Sequence, residues 1–196
     1  MMGNEIEDNV MPLFLINGFL EAGKTQFLEF TMEQDYFQTE GKTLLIVCEE
    51  GDTEYDEKKL KKNRTAVVYV DDFSKLTPEY LNELEVIYRP ERVIMEWNGM
   101  WNQDELKLPE DWSIYQQITI IDGSTFDLYV QNMKPLLGAM LRGSELVIMN
   151  RCGFNRAARI MDQLAEAGVV GEEEGTKPRK ILMSPEQFEE MMEQGY

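Results

Sequence analysis

Residues 18–25 read GFLEAGKT, a G-x-x-x-x-G-K-S/T pattern placed directly after the apolar run 11–17 (MPLFLIN) and directly before a helical segment. A strand, a glycine-bearing turn and a helix in that order are the context of a phosphate-binding loop, which belongs to open α/β sheets. Glycines at Gly18 and Gly23 let the backbone curl until successive N–H groups point inward, and the following helix adds the partial positive charge of its N-terminus. Lys24 is then expected to reach β- and γ-phosphates and the Thr25 hydroxyl to take a place on Mg²⁺. The whole stretch Gly18, Phe19, Leu20, Glu21, Ala22, Gly23, Lys24 and Thr25 forms the expected cradle, with the Glu21 carboxylate pointing outward.

Such a cradle works locally even though the chain as a whole is acidic, with 19 Lys+Arg against 37 Asp+Glu and a formal charge of -18. That balance repels a phosphate backbone, so nucleic acid is not an expected partner. The chain contains no histidine, which removes imidazole bases, Ser-His-Asp and Cys-His triads and His-ligated zinc. Cys48 and Cys152 are its only cysteines, too few for a disulfide framework or a C-x-x-C site, and both read as thiols in a reducing compartment. The first ten residues are acidic and no apolar run reaches membrane-spanning length, so neither a signal peptide nor a membrane partner is expected. A cytoplasmic location follows from that expectation.

Apolar runs alternate with helical patterns through most of the 196 residues, which predicts a three-layer fold with a mostly parallel central sheet flanked by helices. Strands are expected over 11–17, 43–48, 66–70, 92–95, 117–121 and 146–149, short stretches rich in β-branched residues. Helices are expected over 25–34, from Pro78 to Tyr88 behind an N-cap at Thr77, over 124–141 and over 155–167, the last ended by Gly168. Beyond Gly171 the composition turns to EEEGTKPRK, a possible short strand over 180–183 and an acidic helix over 185–193. The expected division is therefore a nucleotide-binding domain over 9–170 and an acidic extension over 171–196.

Ligands of open α/β sheets lie at the carboxyl ends of the strands, so the residues there decide what the loop serves. The strand before EWNGM places Glu96 where a P-loop protein keeps its Mg²⁺-linked acid, with Gly99 three residues on and able to offer its N–H to a γ-phosphate. The competing interpretation of Asn98-Gly99 is a simple turn. Asp122 ends the next strand, with Ser124 as expected N-cap of the helix behind it. The acidic loop Glu49, Glu50, Gly51, Asp52, Thr53, Glu54 is a candidate switch segment in which Glu49 could join a divalent ion, although solvated acidic loops are common. Lys58, Lys59, Lys61, Lys62 and Arg64 read as a solvated helix face paired with Glu54 and Glu57, and the thirteen methionines as adaptable core packing.

From about Pro12 to Met161 these segments resemble the CobW/HypB/UreG family of P-loop GTPases, and within it the CobW-like branch. GFLEAGKT is close to that branch's GFLGAGKT, VIMEWNGMW to its strand ending in E-S/T-S/T-G, ITIIDGSTF to its V-T-V-V-D segment, and ELVIMNRCG stands where its N-K-x-D motif lies. The resemblance implies a Mg²⁺-dependent GTPase whose nucleotide state governs metal delivery to a client protein. Carried over, Lys24, Thr25 and Glu96 would form the catalytic set, Thr25 and Glu96 would hold the metal, and Asn150 would face the base. Arg151, in place of the family lysine, would stack on the purine.

The sequence departs from the family at two points. No counterpart of the G-C-x-C-C metal motif follows the second strand, and the base-reading aspartate is replaced by Gly153. A guanine site built on that carboxylate discriminates strongly, so its replacement is expected to weaken GTP preference. The carboxy-terminal domain usual in CobW-like proteins is also not expected here. GTP/GDP and Mg²⁺ are the expected cofactors, a client metalloprotein and a nucleotide-dependent homodimer the expected partners. A P-loop ATPase or kinase, or a nucleotide-binding module without turnover, are the alternatives.

Overall fold

Strand β1 (Met11–Asn17) buries side chains on both of its faces: Leu13 and Leu15 on one, Ile16 on the other. Such a strand needs a neighbour on each side and a helical layer above and below. The computed structural model, which describes residues 10–48 and 55–151 with isolated positions 165, 171 and 182, supplies all four. β1 lies between β4 (Arg92–Glu96) and β5 (Trp112–Asp122) in a six-stranded sheet of order β3-β2-β4-β1-β5-β6. β2 is Thr43–Val47, β3 Thr65–Tyr69 and β6 Leu146–Asn150. Every pairing is parallel.

On one face α1 (Lys24–Met32) and α2 (Glu57–Lys62) cover the sheet, their Leu28, Met32 and Leu60 packing with Ile16, Leu45, Ile94 and Ile120. On the other, α3 (Pro78–Tyr88) sets Leu81 and Leu84 against Leu13, Leu15, Leu44, Val93 and Met95. On that same face α4 (Phe126–Asn132) and α5 (Lys134–Arg142) pack Leu137, Met140 and Leu141 against Ile121 and Phe19. The expected three-layer parallel architecture is therefore the observed one. Capping is local and legible for α3, where the Thr77 side chain accepts from the Tyr80 N–H at 3.2 Å and Pro78 opens the first turn.

Three expectations need correction. Residues 124–141 do not form one helix, because the chain leaves helical geometry at Met133 (φ -135°) before α5 begins. Pro135 explains the break, having no N–H for the carbonyl of Gln131 and a ring that crowds the preceding turn. Nor is Ser124 the N-cap; α4 starts after Thr125, while Ser124 donates its N–H and hydroxyl to Asp122 Oδ1 at 2.8 and 2.6 Å. β5 also begins five residues earlier than its apolar core suggests, since Trp112, Ser113, Ile114 and Gln116 gain their pairing from β1, from Met11↔Trp112 onward, with a register shift at Tyr115. The helix over 155–167, Gly168, the strand over 180–183 and the helix over 185–193 lie outside the described residues.

Leu15 is completely buried between the sheet and α3, whereas Ile87 on the outer face of α3 is 68% exposed. Leu15→Ala is expected to lower unfolding free energy by about 3 kcal/mol, and Ile87→Ala by no more than about 0.5 kcal/mol, measured by urea denaturation followed by circular dichroism.

Candidate functional site

The chain order places β1 at the point where successive strands depart to opposite sides, β2 and β4 one way, β5 and β6 the other. The crevice outside that point is where open α/β sheets bind ligands. The turn leaving β1 there depends on Gly18 (φ +144°) and Gly23 (φ +103°), which hold left-handed backbone that a side chain would strain. A Cβ on Gly18 would also overlap the Ile120 carbonyl oxygen, and one on Gly23 the Asn150 amide nitrogen. Glu21 takes φ 60° and is exposed, so its carboxylate stands outside the turn as expected. Leu20 at the turn's tip is also exposed, whereas Phe19 and Ala22 are buried.

Gly23 begins α1 with no side-chain cap, and no acidic residue stands in the first turn. The amides and positive end of α1, without a side-chain cap, are suited to an anion. Lys24 is 3% exposed, and its ammonium donates to the Gly18 and Phe19 carbonyls at 2.8 and 3.0 Å. A buried cation over the mouth of an uncapped helix N-terminus is a site built for negative charge.

Glu96, at the carboxyl end of β4, stands in register with Ile16 of β1 and Val47 of β2. Its side chain is 3% exposed and turns toward α1, where Oε1 accepts from the Thr25 hydroxyl at 2.9 Å and Oε2 from the Tyr55 hydroxyl at 2.5 Å. Burial, and secondarily the carboxylate of Glu96, push the Tyr55 phenol well above its ordinary range, so it stays a neutral donor. Thr25 and Glu96 together present hard oxygen donors beside the loop, the chemistry that Mg²⁺ selects. The Asn98-Gly99 step is indeed a turn, with Asn98 Oδ1 accepting from the Met100 N–H at 2.9 Å, but β4 and β5 are not a hairpin because β1 lies between them. Gly99 is pressed against the loop: a Cβ there would overlap the Gly18 carbonyl oxygen and come within 3.0 Å of Phe19 Cα.

On the other flank Asn150 reaches back from β6, its amide donating to the Ala22 carbonyl at 2.8 Å. Arg151 has φ 50°, a half-exposed side chain and an ion pair at 3.3 Å with the buried Asp122. Asp122 is thus a turn-former and an anchor for Arg151. Phe19 stacks on Tyr129 of α4, ring centroids 3.9 Å apart. Lys24, Thr25, Glu96, Gly99 and Asn150 therefore meet around one loop, while Arg151 is seen in contact with Asn150 and Asp122. Glu49 and the rest of the acidic segment lie outside the described residues, as do Cys152 and Gly153; among the described residues no group of three or more His, Cys, Asp or Glu could hold a metal.

Sequence reasoning missed Tyr55, whose only signal is an aromatic residue between an acidic loop and the helix cap Asp56. It also missed a polar layer under the loop: Gln103 donates to Gln117 at 2.7 Å, Gln117 to the Met140 carbonyl at 2.9 Å, and Asn17 to Gln103. Two glutamines and an asparagine far apart in sequence carry no pattern that announces such a layer.

A family model described as the FtsK gamma domain matches residues 149–184. Among curated proteins, the DNA translocase FtsK of Streptococcus agalactiae is 46% identical over 61 residues, 30% of this chain and 8% of that protein. SpoIIIE of Bacillus subtilis, also a DNA translocase, is 29% identical over 113 residues, 57% of this chain and 14% of the relative. These matches therefore span a small fraction of the relatives' length. Among solved structures, the Zn(II)-bound triple mutant of the YjiA GTPase superposes with a TM-score of 0.56 at 17% identity, covering 80% of this chain and 54% of that one. The hydrogenase maturation factor HypB from Archaeoglobus fulgidus gives 0.54 at 14% identity, covering 94% and 88%. Likeness at such identities is one of fold: both share the parallel, helix-flanked sheet of this chain.

Gly99→Ala is expected to destabilise the protein by about 2 kcal/mol, the cost of overpacking against rigid backbone. Gly41→Ala should cost less in the same urea unfolding measurement, because its new methyl group would meet only the flexible end of Glu91.

Proposed function

We propose that this chain binds a purine nucleotide as its Mg²⁺ complex and is a slow GTPase of the CobW type, coupling nucleotide state to delivery of a metal or cofactor to a client protein. The observation that carries this reading is the linked set Lys24, Thr25 and Glu96 around an uncapped α1, with Gly99 packed on the same loop. The likeness in fold to the YjiA GTPase and to the maturation factor HypB supports it. When bound, Mg²⁺ would neutralise phosphate charge; Thr25 and Glu96 are the residues that would hold it.

In this reading the loop amides and the α1 N-terminus bind the phosphates, and Lys24 exchanges its two carbonyl partners for phosphate oxygens. Gly99 offers its N–H where a γ-phosphate would end, so presence or loss of that phosphate is felt by the segment after β4. Asn150 braces the loop through Ala22 and brings the base-facing edge of β6 against it. Arg151, held by Asp122, supplies a guanidinium for the purine face. Nucleotide-dependent pairing of two copies and a client metalloprotein belong to the same proposal.

Gly153 in place of the family's aspartate favours a second reading, a P-loop protein that uses ATP as readily as GTP, or one that binds without turnover. The match over 149–184 crosses the expected boundary at residue 170. It supports a module over 149–184, overlapping the end of the expected nucleotide domain, that is similar to part of the DNA translocases. Contact with DNA, if it occurs, would belong to that module.

Titration with fluorescent GTP and ATP analogues, with and without Mg²⁺, tests the reading. Mg²⁺-dependent binding is expected, weakened on the order of 100-fold by Lys24→Ala through loss of charge-assisted hydrogen bonds. Preference for GTP would support the GTPase, and equal binding of both nucleotides the second reading. Unchanged affinity in Lys24→Ala would refute both.

A further inference from the structure

Glu96 is held from two directions. Thr25 approaches its Oε1 from α1, and Tyr55 approaches its Oε2 from the residue just before the Asp56 cap of α2. The Tyr55 ring is 6% exposed and belongs to the apolar cluster of Leu28, Met32 and Leu60. It is therefore part of the packed layer, held in place independently of its hydroxyl. α2 is in turn fixed to α1, the helix that carries Thr25: Lys59 pairs with Glu33 at 2.7 Å, and Asn63 donates to the Met32 carbonyl at 3.0 Å.

A carboxylate anchored at one oxygen alone can rotate about its last torsion, whereas one anchored at both has its plane fixed. We infer that Tyr55 is a positioning residue for the proposed Mg²⁺–nucleotide site, fixing the Glu96 carboxylate so that Oε1 faces Thr25. This rests on the proposed function and extends it to a residue that touches neither phosphate nor metal. It also gives the site a mechanical link: the segment leading into α2 ends on the same carboxylate that Thr25 contacts, so movement of either is felt by the other. Partners that orient a ligating group typically cost 10–100-fold in metal affinity when removed.

Tyr55→Phe keeps the buried ring and deletes only the hydroxyl, so the test is a Mg²⁺ titration at fixed fluorescent GTP analogue, or ATP analogue if the wild type prefers it. The Mg²⁺ concentration at half-saturation is expected to rise about tenfold in Tyr55→Phe, with the affinity measured in EDTA unchanged and the urea midpoint lowered, because the buried carboxylate loses one of its hydrogen bonds. In a Glu96→Gln background the same substitution should add little, because its effect acts through the carboxylate. A variant that titrates at the wild-type Mg²⁺ concentration, or loses affinity equally in EDTA, overturns the inference while leaving the proposed function standing. A wild type that binds neither nucleotide removes the proposed function, and this inference with it.

Discussion

The site depends on a carboxylate taken almost entirely out of water. Glu96 is 3% exposed at the end of a central strand, where an ionised group without hydrogen bonds would cost several kcal/mol. The Thr25 and Tyr55 hydroxyls meet that demand, and meeting it fixes the first turn of α1 and the approach to α2 against β4. Lys24, one residue from Thr25, is positioned by the same helix, so the cation and the acid of the site are set in one frame.

Around this frame the architecture is economical. Parallel pairing on both sides of β1 puts Glu96 beside the end of β1 and Asn150 within reach of the loop that follows it. Close backbone approach does the rest, since Gly99 lies on Gly18 and Gly23 lies beside Asn150 with no room for a side chain. The loop is thus clamped from three strands, which keeps the end of α1, without a side-chain cap, in place.

The comparisons divide the chain unevenly. The solved structures share its P-loop fold over 80 to 94% of its length at low identity, whereas the family model covers only residues 149–184. The two likenesses overlap, since a match over 94% of the 196 residues runs past Asn150, the last residue of β6.

Much of the fold was legible in the sequence because its signals are local. The β1 run, the glycine loop, the Thr77-Pro78 cap and the β-branched strands act through backbone geometry within a few residues, and each stands where the pattern placed it. The errors also have local causes that were underweighted: Pro135 divides the expected helix over 124–141, and Ser124 serves Asp122 in place of capping. What the sequence by itself determined is therefore the parallel α/β class, the glycine turn ahead of α1 and the elements that carry Lys24, Thr25 and Glu96. Only the tertiary structure decided that Glu96 meets Thr25 across 71 positions, Tyr55 across 41, and that Asn150 braces Ala22 across 128. Those encounters follow from strand order and register, which depend on how whole faces pack, and no short-range pattern encodes them.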